Sequence, residues 1–91
     1  MIPKFDFVGH DEKYVNERGA SREEVGQTLA TGRESATYGN RFSAVKVFTE
    51  GYEYRGRTYR HKEIKVVYAY EEWGLAVITV IVRFGFWSDA E

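Results

Sequence analysis

The sequence predicts an α+β domain in which two N-terminal helices pack on one face of an antiparallel sheet of four or five strands. Three observations predict it. Up to Gly32 the chain carries helix signals, namely a capping-box pair and glycine stops. Beyond Gly32 the apolar pattern changes from a period near 3.6 to a period near 2, and β-branched and aromatic residues dominate. Finally, 91 residues suffice for one hydrophobic core, burying roughly 60 to 65 % of the unfolded surface, but not for two. The single domain divides into a helical layer at about 9–31, a sheet at about 33–84 and a short aromatic tail at 85–91.

The spacing of Phe7, Val8, Tyr14 and Val15 predicts a first helix near residues 9–18, closed by Arg18 and Gly19. Ser21, with Glu24 three residues on, opens a second helix over 22–31. Glu23 adds negative charge to its first turn, Val25 and Leu29 give it an apolar stripe, and Gly32 stops it. Arg33–Tyr38 reads as a weak strand ended by Gly39-Asn40. Phe42–Thr49 reads as a second strand, with Phe42, Ala44, Lys46 and Phe48 on one side and Val45 and Val47 on the other. The aromatic and basic stretch 52–60 follows the Glu50-Gly51 turn. Ile64–Tyr70 and Leu75–Phe84 are the strongest strands, and the short glycine-containing link 71–74 makes them a hairpin. Regular alternation along the last strand puts Leu75, Val77, Thr79, Ile81 and Arg83 on the wetter face. It puts Ala76, Ile78, Val80, Val82 and Phe84 against the helices.

Composition limits the chemistry. Cysteine is absent, which excludes disulfides, thiolate metal sites and thiol nucleophiles. Two histidines 51 residues apart make no zinc signature, and the carboxylates show no metal-ligand spacing, so no metal or other cofactor is expected. There is neither a glycine-rich phosphate loop nor a serine elbow. No apolar run reaches the roughly 20 residues of a membrane span, and residues 1–10 lack a signal-peptide pattern, so a cytoplasmic protein with no membrane partner is expected. The net charge of −1 hides a segregation: residues 31–65 carry eight basic and four acidic side chains. Such a patch holds a polyanion locally or is ordinary solvated surface.

Three groups of residues are candidates for function. His10, Tyr14 and Arg18 stand at i, i+4 and i+8, one row on a helix, with an imidazole for proton transfer and a guanidinium for phosphate. Residues 52–62 interleave three tyrosines with three arginines, a lysine and a histidine. Tyr54, Arg55, Arg57, Tyr59, Arg60 and His61 are the candidate nucleic-acid contacts there, because bases stack on aromatic rings while cations follow the phosphates. Lys65, Tyr68, Thr79 and Arg83 fall on adjacent strands and are expected to share a groove. Metal-independent RNA cleavage needs a base, an acid and cations for the developing charge, and His10, Arg18, Lys65 and Arg83 are the candidate set. The aromatic run Phe84-Gly85-Phe86-Trp87 covers a core edge or makes a subunit contact.

His10-x-x-x-Tyr14-x-x-x-Arg18-Gly19-Ala20-Ser21-x-Glu23-Glu24-Val25, followed by Leu29 and Gly32, resembles the start of a bacterial and phage family of domains of unknown function related to the RelE/ParE and BrnT toxins. Gly56-Arg57, Lys65-Val66-Val67 and Ile78-Thr79-Val80 echo its later pattern. The chain departs from that pattern at Tyr14, where the family has a basic or apolar residue, and at Ala20, where it has isoleucine. His61 is the candidate for the family's strand histidine. The resemblance implies a sheet backed by helices and a toxin-like ribonuclease, with RNA as substrate and a cognate antitoxin or other small protein as partner. Two other functions remain open: a non-catalytic nucleic-acid or protein-binding module built on the basic and aromatic stretch, and a structural protein forming homo-oligomers through its C-terminal aromatics.

Overall fold

Ser21 opens its helix as the sequence indicates. Its Oγ accepts from the Glu24 N–H at 3.0 Å while Glu24 Oε1 accepts from the Ser21 N–H at 3.0 Å, closing a reciprocal capping box at the start of a helix over Arg22–Thr31. The helix before it is shorter than expected and spans Glu12–Glu17. Asp11 accepts from the Tyr14 N–H at 2.9 Å and takes the N-cap, leaving His10 ahead of the first turn. The structure is a computed structural model that describes residues 1–86. Its elements are β1 (Phe5–Phe7), α1 (Glu12–Glu17), α2 (Arg22–Thr31), β2 (Arg33–Ala36), β3 (Arg41–Phe48), β4 (Tyr52–Tyr54), β5 (Arg57–Tyr59), β6 (His61–Glu71) and β7 (Gly74–Gly85).

The expected antiparallel sheet is corrected in three respects. A strand, not a helix, comes first: β1 lies along β7 in parallel, with Phe5 opposite Leu75 and Phe7 opposite Val77. The five-stranded sheet is therefore mixed, in the order β1-β7-β6-β3-β2, and β4 and β5 form a separate two-stranded sheet. The physical reason for β1 is that Phe5 is buried in the core and Phe7 packs against it, while the strand's backbone covers what would otherwise be an open edge of β7. The third correction concerns β7. Val67 pairs with Thr79 and Tyr68 pairs with Val77, so Ile78 is an extra residue in a bulge. The bulge reverses the alternation, and Leu75 and Val77 join Val80 and Val82 in or against the core.

Val15, Ala20 and Val25 from the helical layer bury against Ala44, Phe48, Ile64, Val66 and Val80 of the sheet. Ile64, Val66 and Val25 have no exposed surface. The helices therefore cover one face of the sheet. Alternation turns Val45, Val47, Glu63, Lys65, Val67, Thr79, Ile81 and Arg83 to the other. Among the described residues no helix is long and apolar enough to cross a membrane.

Candidate nucleic-acid interface

The basic and aromatic stretch folds as the β4–β5 hairpin. Tyr54 pairs with Arg57 across a turn formed by Arg55 and Gly56, whose φ values of 53° and 79° are those of a type I′ connection. That turn matches the right-handed twist of its strands, at a cost of about 1 kcal/mol for placing a side chain at Arg55 in the left-handed region. Pairing puts Tyr52, Tyr54, Arg57 and Tyr59 on one face of the hairpin and Glu53 and Thr58 on the other.

Phe84 of β7 receives that first face. Its ring stacks on Tyr54 at 4.5 Å and lies 5.3 Å from Tyr59 and 6.5 Å from Tyr52, and Phe86 continues the column 5.9 Å from Tyr59. The arginines lie beside these rings, Arg55 at 5.3 Å from Tyr54 and Arg57 at 5.7 Å from Tyr59. Lys62 fixes the base of the hairpin. Its buried ammonium donates to the Gly19 carbonyl and to Glu24 Oε1, both at 2.8 Å, and sits 4.5 Å from the Tyr52 ring. Burial pushes the Tyr52 phenol up from its ordinary pKa, and the carboxylates of Glu50 and Glu24 add to the effect.

The α1 row forms even though His10 precedes the helix. The His10 ring stacks on Tyr14 at 4.0 Å, and Arg18 Nη2 donates to the Tyr14 hydroxyl with its guanidinium 4.8 Å from the ring centre. The row ends at Gly19, whose φ is +105°. A Cβ there would lie 2.9 Å from the Phe84 ring and 3.5 Å from Tyr54. Row and hairpin thus meet at this residue and form one band. Arg18, Arg55 and Arg57 on it, and Arg60 at the end of the hairpin, are exposed and make no ion pair with any described residue.

The remaining candidates lie elsewhere. His61, at the start of β6, is only 5 % exposed and does not belong to the exposed band. Lys65 sits between the fully buried Ile64 and Val66, so its side chain projects from the sheet face that the helices leave open. Arg83 is on that face too, and its Nε donates to Glu63 Oε1 at 2.9 Å, an ion pair that raises its pKa. The sheet separates both cations from His10 and Arg18. Tyr68, on the helix face, is likewise turned away from Lys65, Thr79 and Arg83, and the expected groove does not form. Trp87, the last of the expected C-terminal contacts, lies outside the described residues.

A second cluster escaped the sequence reading. The hydroxyls of Tyr68 and Tyr70 both donate to Glu34 Oε2, that of Tyr70 at 2.9 Å, and the Phe42 ring lies 5.1 Å from Tyr70 and 6.1 Å from Tyr68. The hydrogen bonds from Tyr68 and then Tyr70 hold the Glu34 carboxyl below its ordinary pKa. The Tyr68 phenol is pushed far up, chiefly by burial and then by Glu34. Two tyrosines at i, i+2 share a strand face in any register, and that much was readable. Glu34 joins them only once β2, β3 and β6 are aligned.

Chemically, the band offers unpaired guanidiniums for phosphates beside rings suited to bases, with Phe86 69 % exposed. Of the four residues expected to carry cleavage it brings together only His10 and Arg18, because Lys65 and Arg83 are on the far face. Comparison with protein-family models, with curated proteins and with solved structures finds no match to this chain.

Proposed function

We propose that this domain binds single-stranded nucleic acid, RNA above all, along the band from His10 to Phe86, and does so as a non-catalytic module. The observation that supports this reading is the meeting of exposed arginines, without an ion pair among the described residues, with a cluster of aromatic rings, contributed by segments far apart in the chain. Arg18 arrives from the helical layer, Arg55, Arg57 and Arg60 from the hairpin, and Phe84 and Phe86 from the end of the sheet. Guanidiniums bind phosphate oxygens through two parallel N–H bonds, and an aromatic surface accepts any base, so the mode is sequence-tolerant. RNA cleavage is no part of the proposal, since Lys65 and Arg83, two of the four residues expected to carry it, sit across the sheet from His10 and Arg18.

Titrating a fluorescein-labelled single-stranded RNA with the protein at low salt tests the reading by anisotropy. Saturable binding is expected, weakened about tenfold by removing both Arg57 and Arg60, with the RNA recovered intact after incubation in EDTA. A flat titration, or one indifferent to those two arginines, overturns it.

A further inference from the structure

We propose that the cleft beyond the C-terminal end of α2 is a binding site for an organic cation, an ammonium or guanidinium group, held by the Glu34 carboxylate against the rings of Tyr70 and Tyr68. The site is distinct from the arginine band and independent of the nucleic-acid reading.

Its geometry follows from the register. Glu34 pairs with Ala44, Phe42 with Tyr68, and Tyr70 with Leu75, so these side chains share the helix face of the sheet. α2 stops at Thr31, before it can cover this end of the face. What remains is a cavity of about 360 Å³ between Leu29, Ala30, Met1 and Pro3 on one side and Glu34, Tyr68 and Tyr70 on the other. That is the size of a small-molecule site, with a wall that is close to evenly apolar and polar.

Three features select a cation. Both phenols donate to Oε2 of Glu34, which leaves Oε1 with no hydrogen-bond donor among the described residues. α2 ends here with no basic residue in its last turn; the Thr31 hydroxyl and the Gly32 N–H take the Gln27 and Thr28 carbonyls, and the helix end turns its partial negative charge toward Leu29 and Ala30, which line the cavity. The rings of Tyr70 and Tyr68 stand as walls at 79° to one another, centroids 5.8 Å apart, and Phe42 backs Tyr70 at 74° and 5.1 Å. Aromatic faces at right angles beside a carboxylate form the electron-rich box that receives alkylammonium ions. An anion would meet Glu34 and the helix end together. The phenol hydrogen bonds also keep the carboxyl ionised below its usual range, so the site stays charged in mildly acidic solution.

The test is an NMR titration of the backbone amides of residues 34–36 and 68–70 with tetramethylammonium, n-butylammonium and n-butylguanidinium chlorides, against sodium chloride at equal ionic strength. Saturable shifts confined to this end of the sheet are expected with at least one organic cation and not with sodium. Glu34→Gln should weaken them tenfold or more, as should Tyr70→Leu at this largely exposed position, whereas Tyr70→Phe keeps the ring and most of the binding. Arg57→Ala should change nothing. A blocked lysine or arginine amide separates the sources: tighter binding than the matching alkyl cation assigns the site to a side chain of a protein partner, and equal or weaker binding to a free amine. Shifts no larger than those with sodium, or shifts untouched in both Glu34→Gln and Tyr70→Leu, overturn the proposal.

Discussion

Lys62 is 5 % exposed, and an ammonium withdrawn from water to that degree must find its solvation in the protein. The Gly19 carbonyl, the Glu24 carboxylate and the Tyr52 ring supply it, so one side chain joins the α1–α2 turn, the capping box of α2 and the hairpin. Lys62→Met leaves the Glu24 charge and the Gly19 carbonyl facing an apolar group. It should cost about 3 kcal/mol, a drop of more than ten degrees in the thermal midpoint of a domain this small, read by circular dichroism. Tyr68 contributes to the alkaline limit. Its folded pKa lies well above the ordinary 10.0, so the unfolded chain releases this proton first. Its contribution is complete below pH 10 and is lost as the pH rises beyond, and denaturant midpoints should fall there more steeply for the native protein than for Tyr68→Phe. Glu34 works in the opposite sense: its pKa is lowered from 4.5, so its contribution is present above that value and lost as the pH falls through the folded one.

Elements whose signals are local were legible in the sequence. The capping box placed α2 at Arg22–Thr31, and alternation divided β3 into its two faces because no bulge interrupts it. β1 was not legible, since Phe5-Asp6-Phe7 has meaning only beside Leu75–Val77, some 70 residues away, and a parallel pairing leaves no turn in the sequence. The Ile78 bulge was hidden for a related reason: an unbroken apolar run looks the same with or without an extra residue. For the candidate site, the arginines and tyrosines of 54–60 were readable as a group, and so was the His10 row. Their junction at Gly19, and the removal of Lys65 and Arg83 to the far face, depend on tertiary packing. Phe5→Ala tests the unforeseen strand and should cost about 3 kcal/mol by leaving a cavity over β7, measured by chemical denaturation. Arg55→Asn separates the hairpin's two roles. Asparagine suits the left-handed turn position, so stability should rise by about 0.5 kcal/mol while RNA affinity falls through the lost cation.

Taken whole, the molecule is a helical layer on one face of a mixed sheet, with exposed arginines where a hairpin, a helix row and the last strand come together. A net charge of −1 conceals the basic excess of residues 31–65, which the acidic groups of the rest of the chain offset. Charge position, not charge sum, is what the proposed RNA binding rests on, and counterion release makes position measurable. The decisive measurement is the slope of log affinity against log salt for a single-stranded RNA, in the native protein and in the Arg55→Ala, Arg57→Ala, Arg60→Ala variant. Each phosphate neutralised on a single strand contributes about −0.7, so four arginines predict a slope of about −3 for the native protein and about −0.7 for the variant. Equal slopes for the two proteins, or a native slope near zero, would contradict the band as a phosphate-binding surface.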